Sequence, residues 1–334
     1  MRVAVLGTGR IGKMHAENIV KHDRTALAAV FDINRESADA LAQQFGVTSA
    51  ASPQEIFAAD DVDAILVATA THTHADFIEQ SVAAGKPVLC EKPIDLSLER
   101  VNACAQKVKG AGVPIQIGFN RRFDPGHKAA RDAAHGGEIG ALHQVLITSR
   151  DPEMPPRSYY ETAGGIMRDM TIHDFDLARY MLGESPVEVF ATASRLIDPA
   201  MMSEIDDHDT VMIIMTCADG KQCHINNSRT ATYGYDQRVE LMGSTGMLIS
   251  DNVSPTQVRR YGKKNANASE PYLYFFIERY EAAFAAEIDA FVDAVAAGTE
   301  PSPSFEDGRQ ALILAEAAYR SLAEKRAVRV EEIA

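Results

Sequence analysis

The sequence predicts an α/β protein: a doubly wound parallel sheet at the N-terminus, then a second α/β domain with an open, mainly antiparallel sheet. Short apolar runs alternate with amphipathic segments through residue 117, and after about Asn120 several strand-like runs follow one another. Alternation is typical of right-handed βαβ units, whereas successive strands indicate antiparallel pairing. At roughly 100–200 residues per domain, 334 residues suffice for two. We therefore expect domains 1–120 and 121–334.

The N-terminal domain shows the clearest pattern. Strands are expected at 3–6, 27–31, 64–67, 88–90 and 115–117, with helices at 11–20, 35–45, 74–84 and 98–108 between them. Because βαβ crossovers place helices on both faces of a parallel sheet, its strands are continuously apolar. A ligand of such a sheet lies beyond the carboxyl ends of the strands.

The second domain combines strands with a few long helices. Strands are expected at 142–148, 187–196, 210–217, 222–228, 238–242 and 247–250, and helices at 166–182, 274–297 and 307–325. The segment 211–215 is apolar at both alternations, so this strand should hide both faces. Helices can cover one face and a second subunit the other, which predicts a homo-oligomer; a cover from the same chain is the alternative.

Composition excludes several classes of protein. The net charge of −14 argues against a phosphate backbone as ligand, so we expect no nucleic-acid partner. The four cysteines have no paired spacing, which favours reduced thiols in a cytoplasmic protein. No apolar run approaches the ~20 residues of a membrane span, and the first residues do not resemble a signal peptide.

A glycine-rich turn, Gly7-Thr-Gly-Arg-Ile-Gly12, follows the first expected strand and opens the first helix. Gly7 permits the tight turn, Gly9 lets a pyrophosphate approach the backbone, and Gly12 lets helix and strand pack closely. The first residues of the helix, which include Arg10 and Ile11, offer free N–H groups to an anion. The motif predicts dinucleotide binding; a glycine turn without a nucleotide is the alternative.

The expected cofactor is NAD rather than NADP. Asp32 ends the second expected strand, 20 residues after Gly12, where a carboxylate can accept hydrogen bonds from both ribose hydroxyls. A 2′-phosphate at that place would meet a like charge. Arg35 could moderate this preference.

Two further segments follow expected strands at the same edge of the sheet. Thr69 and His74 come after the strand 64–67 and are expected to contact the nicotinamide half of the cofactor, unless they only cap the next helix. Glu91 and Lys92 come at the end of the strand 88–90, and Pro93 restricts Lys92 to extended backbone. A lysine after a strand is usually a solvated surface residue, but at this edge it is a candidate for the site.

A third cluster falls on the expected helix 166–182. Asp169, His173, Asp176 and Tyr180 are spaced by 4, 3 and 4 residues, which places them in one polar stripe. A carboxylate four residues before a histidine can orient the imidazole and raise its basicity, as a general base near neutral pH requires. A metal site and a merely solvated stripe are the alternatives. We expect no metal, because no other His or Cys pair has ligand spacing.

Four motifs in order resemble the glucose–fructose oxidoreductase/inositol dehydrogenase superfamily. They are the glycine turn 7–12, Cys90-Glu-Lys-Pro93, Gly118-Phe-Asn-Arg-Arg-Phe-Asp124, and Gly164-Gly165 followed by Asp169-x3-His173-Asp174. The resemblance covers essentially the whole chain. It implies a Rossmann domain, 1–120, that binds NAD, and a domain, 121–334, for substrate binding and oligomerisation.

The resemblance also implies an activity. It is the NAD-dependent oxidation of a secondary alcohol on a cyclic polyol, with myo-inositol as the expected substrate, in an enzyme of a family often assembled as tetramers. Another sugar or sugar derivative as substrate is one alternative. A non-catalytic regulator that binds NAD or a sugar is the other.

Residue roles follow from the same resemblance. Lys92, Asp169 and His173 match the family's catalytic set, and Glu91 with Lys92 matches the motif that borders the nicotinamide ribose. Positions that match the polyol pocket are Asn120, Arg121, Asp151 and Tyr235, the last from a tyrosine pair in which Gly234 separates Tyr233 from Tyr235.

Overall fold

The computed structural model describes residues 1–333. Its strands are β1 (Arg2–Leu6), β2 (Ala26–Phe31), β3 (Thr48–Ser49), β4 (Ala64–Val67), β5 (Val88–Glu91), β6 (Ile115–Gly118), β7 (Leu142–Arg150), β8 (Glu188–Ser194), β9 (Thr210–Thr216), β10 (Gln222–Ser228), β11 (Asp236–Gly243), β12 (Met247–Ser250) and β13 (Val328–Arg329). Its helices are α1 (Arg10–Lys21), α2 (Arg35–Phe45), α3 (Pro53–Ala58), α4 (His74–Ala83), α5 (Leu98–Val108), α6 (Pro125–His135), α7 (Arg157–Ala163), α8 (Ile166–Asp169), α9 (Ile172–Leu182), α10 (Pro199–Glu204), α11 (Phe276–Arg279), α12 (Glu281–Ala297) and α13 (Phe305–Glu324). The chain forms two compact units. Unit 1 comprises Met1–Asn120 and Ala282–Leu312, and unit 2 the other described residues, 121–281 and 313–333.

Unit 1 is built on a six-stranded parallel sheet with the order β3-β2-β1-β4-β5-β6. The chain winds outward from β1 to β3 and then returns to the other side of β1 for β4. Ligands of such sheets bind at this switch point, beyond the carboxyl ends of the strands. The doubly wound α/β fold predicted for the N-terminal part is confirmed.

Apolar side chains cover both faces of this sheet. Every residue of β4 is buried, and so is β1 after Arg2. The core cluster combines strands with α1, α2 and α12, and its members are Val3, Val5, Ala16, Ile19, Leu27, Val30, Leu41, Ala42, Ala64, Leu66, Leu89, Ile288, Phe291 and Val292. Burial on both faces explains why these strands are continuously apolar in sequence.

Polar side chains cap three helices of unit 1. The side chains of Asn34, Ser52 and Ser97 each accept a backbone N–H from the first turn of α2, α3 and α5. Helix α1 differs, because its cap residue is Gly9 and makes no side-chain hydrogen bond. Its N-terminal N–H groups are therefore left for another acceptor. Within residues 1–333, no helix is both long and apolar enough to cross a membrane.

Unit 2 is built on a seven-stranded sheet with the order β12-β11-β7-β10-β9-β8-β13. Strands β7 and β10 pair in parallel, and the other pairs are antiparallel. The predicted α/β domain with an open, mainly antiparallel sheet is confirmed.

Within one chain, strand β9 buries one face only, so the chain itself does not cover the second face, which was the alternative to a homo-oligomer. Val211, Ile213 and Met215 are at most 1% exposed, whereas Met212 is 50% and Ile214 52% exposed. The strand register places the exposed side chains of neighbouring strands on the same face. We call this surface the apolar sheet face; its residues are Leu146, Phe190, Met212, Ile214, Met242, Met247 and Ile249.

The expected helix 166–182 is divided in the structure, which corrects the prediction of one polar stripe. Helix α8 ends at Asp169 and α9 begins at Ile172. Thr171 N donates to Ile166 O, five residues back, and Thr171 Oγ1 donates to Asn227 Oδ1 of β10 at 2.7 Å. The wider turn and this tertiary hydrogen bond break the helical repeat, so Asp169 and His173 lie on different helices.

Candidate active site

The glycine turn has the geometry of an anion-binding loop. Gly7 has φ +95°, and a Cβ there would lie 2.3 Å from Ala68 O. A Cβ on Gly12 would lie 1.9 Å from Gly7 O, so α1 packs directly on the turn. At Gly9, in contrast, a Cβ would meet no atom of the described chain within 4 Å. Arg10 is exposed and Ile11 partly buried in the first turn of α1, which contains no acidic residue. The N–H groups of a helix N-terminus, with open space in front of Gly9, fit a dinucleotide pyrophosphate.

Asp32 lies directly after β2 and is anchored to the glycine turn. Its Oδ2 accepts from Thr8 N at 2.7 Å and from Thr8 Oγ1 at 3.2 Å, and its Oδ1 accepts from Asn34 N at 2.8 Å. These bonds fix the carboxylate where a ribose of the dinucleotide is expected. Arg35 donates to Ala50 O and to Asp39 Oδ1 instead of to Asp32. A fixed carboxylate at this place, with Arg35 engaged elsewhere, therefore fits NAD.

Thr69 and His74 tie together the segments that follow β4 and β5. The buried His74 has Nδ1 2.8 Å from Pro93 O and Nε2 3.0 Å from Thr69 O. Burial lowers the pKa of His74, against the opposing effect of the two carbonyls. Thr69 Oγ1 is hydrogen-bonded to Thr73 Oγ1 at 2.6 Å. Direct contact of either residue with the cofactor stays a prediction.

Glu91 and Lys92 occupy the end of β5, as expected. Glu91 is the last residue of the strand, and its Oε1 lies 2.8 Å from Nε2 of the fully buried His15 on α1. Lys92 follows directly and is partly buried. Both residues thus lie at the carboxyl edge of the sheet in unit 1, the edge where dinucleotides bind.

In unit 2, Asp169 and Asp151 share one arginine. Arg229, 2% exposed, donates from Nη2 to Asp169 Oδ2 at 2.8 Å and from Nη1 to Asp151 Oδ2 at 3.4 Å. Tyr159 Oη donates to Asp169 Oδ1 at 2.6 Å. Burial, with the charge of Asp169 added, raises the pKa of Asp151 although Arg229 opposes the shift. Burial and Asp169 also raise the pKa of Tyr159. Asp169 is thus held on both oxygens.

His173 is the second residue of α9 and is partly buried. The acids that follow it face other partners. Asp176 accepts from Arg122 on both oxygens, at 2.6 and 2.8 Å, and Asp174 pairs with Arg121. In the described part of the chain, no group of three or more His, Cys, Asp or Glu side chains is arranged to hold a metal ion.

The residues expected to line the polyol pocket are all partly or fully buried. Asn120 is the last residue of the first segment of unit 1 and is 4% exposed. Arg121 donates to Asp174 at 2.5 Å and lies 5.9 Å over the Tyr280 ring. Tyr235 packs edge-on against the same ring, with centroids 6.0 Å apart. The structure therefore groups Arg121, Tyr235 and Tyr280 in unit 2.

The partners of Asp169 and Glu91 have no clear signal in the sequence. Arg229 follows β10 as a single arginine, and Tyr159 lies in a segment without clear periodicity. His15 looks like a helix residue, and Glu287 falls in a helix whose other buried residues are apolar. No local spacing connects Arg229 with Asp169, which is 60 residues away.

Family models match both parts of the chain. Residues 1–119 match an oxidoreductase family described by its NAD-binding Rossmann fold, and residues 127–249 match the GFO/IDH/MocA C-terminal domain. An inositol 2-dehydrogenase of Rhizobium meliloti is 47% identical over 330 residues, which cover 99% of each chain.

Solved structures agree with these matches. The crystal structure of a myo-inositol dehydrogenase from Corynebacterium glutamicum aligns with a TM-score of 0.95 at 43% identity and covers 98% of each chain. A scyllo-inositol dehydrogenase from Lactobacillus casei, solved with NAD(H) and scyllo-inositol, aligns at 0.91 with 27% identity over 99% of each chain. The anion-binding turn, Asp32 and these similarities lead to one conclusion: the chain is an NAD-dependent oxidoreductase that belongs to the GFO/IDH/MocA family.

Proposed function

We propose that this oxidoreductase oxidises the 2-hydroxyl of myo-inositol to the ketone 2-keto-myo-inositol, with reduction of NAD to NADH. The observation that carries the proposal is the 47% identity to an inositol 2-dehydrogenase over nearly the full length of both chains. The match covers 99% of each chain. The proposed residue roles rest on the contacts described above.

Unit 1 would hold the cofactor. The N–H groups of Gly9, Arg10, Ile11 and Gly12 face the pyrophosphate, with Gly7 forming the turn, and Asp32 accepts from a ribose. Thr69, His74, Glu91 and Lys92 are assigned to the nicotinamide half, because they lie after β4 and β5. When bound, NAD supplies the hydride acceptor.

His173, Asp169 and Lys92 would perform the proton chemistry. His173 removes the proton of the reacting hydroxyl, and Asp169 orients and stabilises the resulting imidazolium. Because Arg229 and Tyr159 fix both oxygens of Asp169, this carboxylate has a defined position. Lys92 hydrogen-bonds the reacting oxygen and stabilises the alkoxide charge that develops on it as His173 takes the proton, and this charge is lost again when hydride leaves carbon and the ketone forms.

Asn120, Arg121, Asp151 and Tyr235 are proposed to bind the polyol. Arg121 is charged and fixed by Asp174, so it presents a rigid donor group. The hydrogen bond from Arg229 to Asp151 is long, 3.4 Å, and therefore weak. Asp151 is thus able to accept a hydrogen bond from a substrate hydroxyl. A donor and an acceptor are what a polyhydroxylated ring requires.

The apolar sheet face supports a homo-oligomer, for which we favour a tetramer. It presents four large apolar residues in one row across the sheet, Phe190, Ile214, Leu146 and Ile249, each at least 36% exposed, with the half-buried His224 and Glu240 at the two intervening positions. Exposed apolar patches rimmed by polar residues mark interaction sites on soluble proteins. A second copy of the chain offers the same apolar surface as a matching cover.

The setting we propose is cytoplasmic catabolism of myo-inositol. All four cysteines are buried, and none forms a disulfide, as expected for a reducing compartment. No nucleic acid or membrane is needed as a partner.

The deciding experiment measures the reduction of NAD or of NADP by absorbance. Each cofactor is combined in turn with myo-inositol, scyllo-inositol or glucose. We expect the highest kcat/KM with NAD and myo-inositol, because Asp32 disfavours a 2′-phosphate. A higher kcat/KM with scyllo-inositol or glucose would assign a different substrate. No reduction with any polyol would favour the regulator, while preference for NADP would contradict the role of Asp32.

A further inference from the structure

A buried cluster in unit 1 surrounds Glu91. His15, three residues after Gly12 on α1, is fully buried, and its Nε2 lies 2.8 Å from Glu91 Oε1. Phe284 of α12 packs edge-on against the imidazole, with ring centroids 5.6 Å apart. Within residues 1–333, His15 Nδ1 has no hydrogen-bond partner. Because a carboxylate only accepts, the proton lies on Nε2 and His15 donates to Glu91.

The other oxygen of Glu91 lies beside Gly118. Glu91 pairs with Gly118 of β6, and a Cβ built on Gly118 would lie 3.1 Å from Glu91 Oε2. Any larger residue at 118 would therefore displace the carboxylate. Glu91 thus contacts His15 on one side and lies against Gly118 on the other, and Lys92 is the next residue in the chain.

Glu287 on α12 is the second acid of the cluster. It is fully buried, and neither of its carboxyl oxygens has a hydrogen-bond partner in the described chain. Burial raises the pKa of Glu287 well above its ordinary value, and the nearby charge of Glu91 adds to the shift. An ionised carboxylate without a partner at this place would be far more costly than a neutral carboxyl group. Gln116 Nε2 holds the backbone at Glu287 by a 3.0 Å bond to its carbonyl.

We propose that His15 and Glu287 are positioning residues for Glu91: His15 holds the Glu91 carboxylate, and Glu287 stays un-ionised so that Glu91 is the single negative charge of the cluster. The consequence for chemistry rests on the proposed function, in which Glu91 and Lys92 serve the nicotinamide half and the reacting oxygen. A second negative charge would repel Glu91 from its place. One hydrogen bond thus connects the helix that begins at the glycine turn with the end of β5.

Variants of His15 test the hydrogen bond. His15→Leu removes the donor at similar volume, whereas His15→Gln keeps an N–H at the position of Nε2. We expect His15→Leu to weaken NADH binding, measured by nucleotide fluorescence without substrate, by about tenfold and to lower kcat by a similar factor. His15→Gln should restore most of both, which a purely structural role would not require.

A matched control lies at the other end of α1. His22 Nε2 is also 2.8 Å from a carboxylate, Asp289 Oδ1 of α12, but this pair does not include Glu91, and His22 caps the end of α1 opposite the glycine turn. His22→Leu should leave NADH binding and kcat unchanged. If His15→Leu behaves like His22→Leu, or if His15→Gln is no better than His15→Leu, the positioning role is wrong. Should His15→Leu fail to fold, His15→Asn, whose amide is too short to reach Glu91, replaces it beside His15→Gln.

The protonation state of Glu287 has its own measurement. The infrared difference spectrum between the unmodified protein and Glu287→Gln at pH 7 should contain the C=O band of an un-ionised carboxyl group. Only carboxylate bands would overturn the charge assignment. Neither the infrared band nor the NADH affinity depends on the polyol, so they judge this inference even if inositol proves not to be the substrate.

Discussion

Unit 1 and unit 2 differ in the number of charged side chains that they bury and in the apolar surface that they leave exposed. Among the described residues, unit 1 buries no arginine, and its glycine turn presents the backbone N–H groups of a helix N-terminus together with the exposed Arg10. Unit 2 buries four arginines, each paired with an aspartate: Arg121–Asp174, Arg122–Asp176, Arg229–Asp169 and Arg279–Asp124. The sheet of unit 1 is covered on both faces, whereas that of unit 2 exposes the apolar sheet face.

The difference shows two ways to prepare a site. Backbone N–H groups and a helix N-terminus stabilise a pyrophosphate without any net charge in the protein, so the overall charge of −14 does not oppose a dinucleotide. Buried ion pairs hold carboxylates in one place, but they become costly when one partner is removed. Cofactor binding and proton transfer should therefore fail separately on mutation.

The largest effect is expected from His173→Ala. Loss of the proposed general base should lower kcat by about 10²–10⁴-fold, while the dissociation constant of NADH stays the same because the groups proposed to bind the cofactor are in unit 1. Stopped-flow kinetics and NADH fluorescence measure the two quantities. His143→Ala, at an exposed position of β7, is the control. If turnover falls by less than about tenfold, another base must act.

The next effect concerns stability. Arg229→Met leaves the buried Asp169 and the partly buried Asp151 without their cation and should lower the free energy of unfolding by about 3–5 kcal/mol. Denaturant titration measures it. Arg260→Met removes an ion pair of the same 2.8 Å length that is exposed, and should change stability little. Equal losses in both variants would mean that burial of the pair is not what matters.

The smallest effect is on assembly. Ile214→Lys places an ammonium group in the apolar sheet face and should raise the subunit dissociation constant at least about tenfold, because the charge would have to be buried. Sedimentation equilibrium measures the change, with Val258→Lys, at another exposed apolar position, as the control. An unchanged dissociation constant for Ile214→Lys would show that this face is not the interface.

Local sequence pattern was sufficient for most of the fold. The apolar runs of unit 1 became buried parallel strands, and the succession of strands after Asn120 became the mainly antiparallel sheet. It failed at 166–182, where the expected single helix is broken by a hydrogen bond from Thr171 to Asn227, a residue of another element. Periodicity contains no information on such a partner.

The sequence by itself determined the fold class, the glycine turn and the place of Asp32, because each depends on short-range spacing and on backbone freedom of glycine. It also identified Lys92, Asp169 and His173 as candidates. Only the tertiary structure decided that Arg229 holds Asp169, that His15 holds Glu91, and that Glu287 is buried without a counter-ion. Arg229 and Asp169 are 60 positions apart in the chain, and His15 and Glu91 are 76 positions apart. Such contacts exist only once the sheet and helices have packed.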